Sequence, residues 1–286
     1  MTEKIEKQGH DTVNVAAEEP VSVSAASRLN SAAVIILYAI VVFATLAYGA
    51  VETWSVGFIS VATGVLVALW LIDGARRSEF RLDANVLQLF IAGLIVIGVV
   101  QLLPFRSSGV PGLSIPAASS ISIDPYATWN AVVLLVIQLI FFAAAYALFN
   151  NADRVKRLAV FVVTFAALLA FFGILQRLAN PQGIYGWRPT PQAIPFGSYV
   201  NQHHFAALME MSIGLTLGIL LGRATKKDKR LLLVIALVLM TIAIGLTGSR
   251  GGVLSLVAVA GFAVIFLFGR RSKIAEDEPS PLPGKW

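Results

Sequence analysis

Arginines at the ends of apolar segments are the residues of this chain best suited to bind an anion. The guanidinium group of arginine presents a planar fork of N–H donors, which grips a phosphate through two parallel hydrogen bonds. Arg250 lies in LTGSRGG, where two glycines permit close backbone approach and Ser249 can cap the helix that follows. A helix N-terminus favours an anion, and an anion bound there would offset the unfavourable position of the arginine. Arg177 in GILQR and Arg188 in YGWRPTP are further candidates, whereas we interpret Arg106 as an isolated surface charge.

The segment FGSYVNQHHFAALME contains a second set of reactive side chains, His203, His204 and Glu210. Glu210 follows His203 by two helical turns, so we expect both on one helix face that is directed into the bundle. Glu210 is the only acid inside a predicted span, and an intramembrane carboxylate is a functional candidate by default. The competing interpretation is that the histidines pack at the interface and that Glu210 only bonds a neighbouring helix. The loop acids Glu52 and Asp124 are not clustered, so the sequence predicts no metal site.

Composition indicates that lipid is the main solvent of the elements that position these residues. Hydrophobic residues make up 57% of the 286 positions and charged residues only 13%, whereas a soluble domain has about 25% charged residues. The chain has no cysteine, which excludes disulfides and thiolate metal sites.

Eight apolar runs predict eight spanning helices, because unbroken apolar runs of about this length are helical in lipid. The runs are Ala32–Val51, Val56–Ile72, Val86–Leu103, Ala131–Phe149, Leu158–Leu175, Phe205–Leu221, Leu231–Leu246 and Val253–Phe268. The predicted fold is therefore an all-α polytopic membrane protein with about eight transmembrane helices. We expect residues 1–30 to form a disordered cytoplasmic tail, residues 31–269 the helical domain and residues 270–286 a polar cytoplasmic tail.

The distribution of Lys and Arg predicts the orientation. With eight spans, the two tails and every second loop lie on one side of the membrane, and they hold nearly all the basic residues. The other side receives only the four arginines named above. Cytoplasmic loops carry such an excess, so both termini are predicted to be cytoplasmic. This asymmetry accounts for the net charge of +6 without any nucleic-acid partner.

Two motifs carry a resemblance to a known family. GSYVNQHHFAALMEM followed by GLTGSRGG resembles the signature of the O-antigen ligase and O-antigen polymerase superfamily, and YGAVETWS, SIDPYATW and GILQ fit in order. The resemblance covers roughly residues 32–268, and departs from the family pattern at His203, where a second Asn is more common. Family members usually run longer, with further spans and a periplasmic loop that bears a histidine. The resemblance therefore implies a fragment or a short member.

The resemblance implies a glycosyltransferase of the bacterial inner membrane, active on its periplasmic face in cell-surface polysaccharide or lipopolysaccharide biosynthesis. The donor would be an undecaprenyl-diphosphate-linked glycan held among membrane lipids, with no cofactor. The acceptor stays open between a growing glycan, the lipid A core and a protein. Arginine would stabilise the diphosphate leaving group, and a histidine or carboxylate would take the acceptor proton. On this basis Arg250, His203 and Glu210 are the predicted catalytic residues, and the predicted substrate-binding residues are Arg188, Arg177, Asn201, His204 and Ser249.

Two other classes of function remain open at this point. A transporter or lipid flippase often has internal repeats, broken helices and ionisable groups near the membrane midplane. Here the polar features cluster at the outer ends of the helices and no convincing repeat is visible. A truncated, non-catalytic membrane subunit is the third alternative.

Overall fold

The protein is a bundle of α-helices. The computed structural model describes residues 21–77, 85–105, 120–149, 151–222 and 225–276. The helices of these residues are α1 (Val21–Leu46), α2 (Thr53–Arg77), α3 (Val86–Leu102), α4 (Pro125–Leu148), α5 (Ala152–Ala179), α6 (Gln202–Leu221), α7 (Lys227–Thr247) and α8 (Arg250–Glu276). Between α5 and α6, the two-residue strands β1 (Gly183–Ile184) and β2 (Arg188–Pro189) form an antiparallel hairpin.

Seven helices of the described residues are long and apolar enough to cross a membrane, and α3 is shorter, with 17 residues. Large apolar side chains cover their outer surfaces; Phe90 on α3 and Phe262 on α8, for example, are about two-thirds exposed. Apolar surface this extensive is stable against lipid and not against water. The predicted all-α polytopic membrane architecture is therefore confirmed.

Short polar side chains before several helices fix where those helices begin. Asn85 accepts a hydrogen bond from the first turn of α3 and, with Gln88, forms a capping box. Asp124 caps α4 with Pro125 in its first turn, and Asn151 caps α5. Each side chain satisfies backbone N–H groups that have no partner within the helix.

The helices form two sub-bundles that each have their own apolar core. In the first, α1 and α2 pack together, α3 packs on α4, and α4 closes against α1 and α2 around Leu37 and Leu66. In the second, α5, α6 and α7 surround Met209 and Met240, with α8 packed against α6 and α7. Tyr38 of α1 lies against Phe161 of α5, with ring centroids 4.3 Å apart, and links the two sub-bundles.

The two ends of the bundle differ in charge. One end, here called the loop end, contains the turns at 47–52 and 248–249 and the long loop at 180–201. The described basic residues of the loop end are Arg177, Arg188 and Arg250. The opposite end, here called the basic end, carries Arg76, Arg154, Lys156, Arg157, Lys226, Lys227, Lys229 and Arg230. The start of α1 and the end of α8 both lie at the basic end.

Two helices extend past the predicted runs. Helix α1 begins at Val21, directly after a proline, so residues 21–30 of the expected disordered tail are helical. Helix α2 continues to Arg77 and places Asp73, 8% exposed, within the helix. The expectation that Glu210 is the only acid inside a span is therefore wrong, because the apolar run ended before the helix did. The rest of the predicted tails, residues 1–20 and 277–286, and Arg106 lie outside the described residues.

Candidate functional site

A tight turn joins α7 to α8 at the loop end. Gly248 ends α7 with a φ of 70°, in the left-handed region that glycine adopts without strain. Ser249 follows, and its Oγ accepts a hydrogen bond of 3.1 Å from the amide of Gly252. Ser249 therefore caps α8, as its position in the sequence predicted.

His203 of α6 is bonded to this turn. Its Nδ1 lies 2.9 Å from Ser249 Oγ, while Asn201 Oδ1 accepts from the amide of His203 and caps α6. Ser249 Oγ has one lone pair and its own hydrogen left after its bond to Gly252, so His203 can bond it in either tautomer. When Nδ1 carries the proton and donates it to Ser249, Nε2 holds the free lone pair that a general base requires.

Glu210 lies two turns deeper on α6, against the first turn of α8. A Cβ atom placed on Gly252 would lie 3.2 Å from Glu210 Oε1 and 3.1 Å from the Cβ of Ala206. The missing side chain of Gly252 thus lets α8 approach the carboxylate closely. His203 and Glu210 both face the start of α8, with Glu210 partly buried and His203 exposed.

Arg250 is the first residue of α8 and is exposed. Within the described residues it forms no ion pair or side-chain hydrogen bond. Its charge is therefore not neutralised by a neighbouring acid, although it lies at a helix N-terminus that repels cations. The arrangement leaves the guanidinium fork of Arg250 available to an anion.

Arg188 has a very different environment. Its guanidinium donates to Glu52 Oε1 and lies over the ring of Tyr48, with Cζ 4.0 Å from the ring centroid. The hydrogen bond to Glu52 raises the pKa of the Arg188 guanidinium above its ordinary value. Arg188 thus already has an anionic partner, and it binds the long loop to the turn between α1 and α2.

Further bonds fasten the same loop to the end of α1. The Tyr185 hydroxyl donates to the carbonyl of Leu46 at 2.5 Å, and the Ser198 hydroxyl donates to the carbonyl of Thr45 at 2.7 Å. The last carbonyls of a helix have no partner within the helix, so these bonds satisfy groups that need one. Burial raises the pKa of the Tyr185 phenol above its ordinary value, which keeps it protonated as a donor.

The turn that receives the loop has an unusual backbone. Tyr48, Gly49 and Ala50 have φ values of 60°, 75° and 58°, so three consecutive residues are left-handed. Such conformations cost non-glycine residues about 1–2 kcal/mol each and persist only where surrounding contacts hold them. A Cβ atom on Gly49 would lie 2.7 Å from Cδ1 of Tyr199, so the ring of Tyr199 occupies the space that a side chain would need.

Arg177 and His204 bond neither to the residues at the start of α8 nor to the cluster around Arg188. Arg177, in the last turn of α5, lines an open pocket of about 620 Å³ whose other lining residues, four of them prolines, belong to the long loop. His204 is exposed on α6. Neither side chain forms an ion pair in the part of the chain that the structure describes.

Apart from Arg177 and His204, the predicted site residues lie in two groups. His203, Ser249 and Glu210 meet at the start of α8 beside Arg250, and Asn201 holds the end of α6 that presents His203. Arg188 lies in a separate cluster with residues that the sequence analysis did not select, Tyr48, Glu52 and Tyr185. The single acid of YGAVETWS was the available signal for Glu52, but no pattern in that segment predicts three left-handed residues.

Comparisons of the chain with protein-family models, with curated proteins and with solved structures found no match.

Proposed function

We propose that this protein is a membrane glycosyltransferase that transfers or polymerises a glycan carried on a polyprenyl diphosphate. The observation that carries the proposal is the start of α8, where Arg250, without an ion pair among the described residues, adjoins the Ser249–His203 hydrogen bond. A diphosphate suits this position because it is anionic, accepts bidentate hydrogen bonds and is favoured by a helix N-terminus. The apolar surface of the bundle suits a substrate whose lipid part stays in the membrane.

In the proposed reaction, a hydroxyl oxygen of the acceptor forms a bond to the anomeric carbon of the donor glycan. The bond between that carbon and the diphosphate oxygen breaks, and the diphosphate leaves with the electron pair. The hydroxyl proton passes to a base, His203 Nε2 or the carboxylate of Glu210. Arg250 stabilises the negative charge that grows on the leaving group.

We further propose that the loop end faces the periplasm of a bacterial inner membrane and that the termini are cytoplasmic. The separation of the basic residues between the two ends supports this orientation. Single cysteines placed at Arg188, His203 or Arg250 should react with an impermeant thiol reagent in cells with a permeabilised outer membrane. Cysteines at Arg77, Arg157 or Lys227 should not react, and the chain has no cysteine of its own to interfere. Labelling at 227 but not at 188 would reverse the orientation.

Glycan transfer in membranes that are supplied with each of the three acceptor classes tests the activity. Radiolabelled glycan should move from the lipid-extractable donor to an acceptor, and separating the products identifies that acceptor. Arg250→Ala, expressed to the same level, should lower the rate by roughly a hundredfold or more. Normal transfer in membranes that lack the protein would contradict the proposal. Vectorial movement of the intact lipid-linked glycan without transfer would indicate a flippase instead.

A further inference from the structure

A groove of about 560 Å³ between α5 and α7 combines a charged end with a long apolar wall. At the basic end it is lined by Lys156 of α5 and Lys229 of α7, and also by Thr225 just before α7. The remaining lining is almost entirely apolar, and the hydroxyl of Thr164 is already bonded to the carbonyl of Val160. The groove therefore offers positive charge at one end and hydrocarbon contacts along the rest.

The length of the groove suits an acyl chain. On α5 the lining runs from Lys156 to Phe171, which corresponds to about 22 Å at 1.5 Å per residue. One leaflet of the hydrocarbon core is about 15 Å deep. A chain that starts at the lysines can therefore lie along the groove for the full depth of its leaflet.

The charges of the two lysines have no acidic partner among the residues that the structure describes. Within the described residues neither forms an ion pair, and the nearby acids Asp153 and Asp228 do not line the groove. The start of α7 adds to the excess of positive charge, because Lys226 at its N-cap provides no side-chain acceptor for the first amides of the helix. Cations in the first turn oppose the helix dipole, whereas an anion there is favoured by the dipole and by the uncapped amides.

We propose that this groove binds an anionic diacyl phospholipid, with the phosphate between Lys156 and Lys229 and one acyl chain between α5 and α7. Charge complementarity selects the headgroup, and the apolar wall favours a lipid over a soluble phosphate, because only a lipid can occupy the charged end and the wall together. Basic pockets between spanning helices are a recurrent means of recognising such headgroups. This site lies at the opposite end of the bundle from Arg250 and does not depend on the proposed function.

Native mass spectrometry of the full chain in detergent, with phosphatidylglycerol or phosphatidylcholine of the same acyl chains, tests the proposal. The wild type should retain phosphatidylglycerol in preference to phosphatidylcholine. The double variant Lys156→Gln/Lys229→Gln should weaken phosphatidylglycerol binding by roughly tenfold or more and remove the preference. The matched control is Arg157→Gln/Lys227→Gln, which removes the same charge from exposed neighbours outside the groove and should keep the preference.

Three results would overturn the proposal. An equal loss in both double variants would mean that only the general charge of the basic end attracts the lipid. Displacement of the lipid by glycerol 3-phosphate at similar concentration would mean that the acyl chain adds nothing. The third test narrows the groove with Ala167→Leu, which should reduce the retention of both lipids. Unchanged retention would place the bound lipid elsewhere. The unfolding temperature of that variant checks that it is folded.

Discussion

Arg188 and Arg250 lie at the same end of the bundle but in opposite electrostatic environments. Arg188 is held by Glu52 and Tyr48 and ties the long loop to the turn between α1 and α2. Arg250 is exposed, has no acidic partner within the described residues and begins a helix beside His203 and Ser249. One arginine is satisfied by the protein, whereas the other is left with a charge that an external anion would balance.

The two environments suit Arg188 to a structural role and Arg250 to binding. The ion pair with Glu52 must be broken before Arg188 binds an external anion in its place, and breaking it leaves the carboxylate of Glu52 near that anion. Arg250 has no such cost. We therefore assign Arg188 mainly to holding the loop, and we keep Arg250 as the proposed diphosphate ligand.

The largest expected effect is that of Arg250→Lys, and Arg188→Lys is its comparison. Arg250→Lys should lower glycan transfer by roughly a hundredfold or more, because lysine keeps the charge but lacks the fork. Arg188→Lys should lower it by less than about fivefold, because lysine can still pair with Glu52. The measurement is glycan transfer in membranes at equal expression. Near-normal transfer by Arg250→Lys would instead indicate that Arg250 only anchors α8 to lipid headgroups by snorkelling.

The packing of Tyr199 on the turn that receives the loop can be tested by alanine substitution of two glycines, Gly49 in the turn and Gly186 in the loop, which both have a positive φ. Gly49→Ala should lower the free energy of unfolding by about 2–3 kcal/mol, because it adds a clash with Tyr199 to the backbone strain. A Cβ atom on Gly186 would meet nothing within 4 Å, so Gly186→Ala should lower the free energy of unfolding only by the backbone strain, about 1 kcal/mol. Unfolding in detergent mixtures measures both. Equal losses would show that the ring of Tyr199 can move aside at no cost.

At the start of α8, alanine substitutions of two adjacent glycines should change the free energy of unfolding in opposite directions. Gly252→Ala should destabilise the protein by about 1 kcal/mol, because the new Cβ would crowd Ala206 and Glu210. Gly251→Ala meets nothing within 4 Å, so it should stabilise the helix by about 0.5–1 kcal/mol. The free energies of unfolding of the two variants provide the comparison. A stabilising Gly252→Ala would mean that the carboxylate of Glu210 is not confined by α8.

The smallest expected effect is the loss of the Arg188–Glu52 ion pair. Glu52→Gln should lower the free energy of unfolding by less than about 1 kcal/mol, because both side chains are about one-third exposed. The loss should shrink at high salt, which screens the pair in the native protein. A loss of several kcal/mol that salt does not alter would mean that the pair behaves as a buried one and that the loop depends on it.

The helices could be predicted from sequence because apolar length and flanking charge are local properties. The cap formed by Ser249 was predictable for the same reason, since it depends on residues within one turn. The partner of Arg188 was not, because Glu52 is 136 residues away and the contact exists only once the long loop folds back over α1. Gly252 illustrates the same limit, since its contact with Glu210 depends on how closely α8 approaches α6.

The attachment of the long loop to α1 also affects the order in which the protein is made. The partners of the α1 carbonyls, Tyr185 and Ser198, are synthesised 139 and 153 residues after Leu46 and Thr45. At a translation rate of about 5–20 residues per second, the first helices are therefore complete roughly 7–30 s before the loop reaches them. During that interval water at the membrane surface must hydrate the carbonyls of Leu46 and Thr45. The left-handed turn after α1 can settle only when Tyr199 arrives, so the final shape of the first hairpin is fixed by residues that are made well after it.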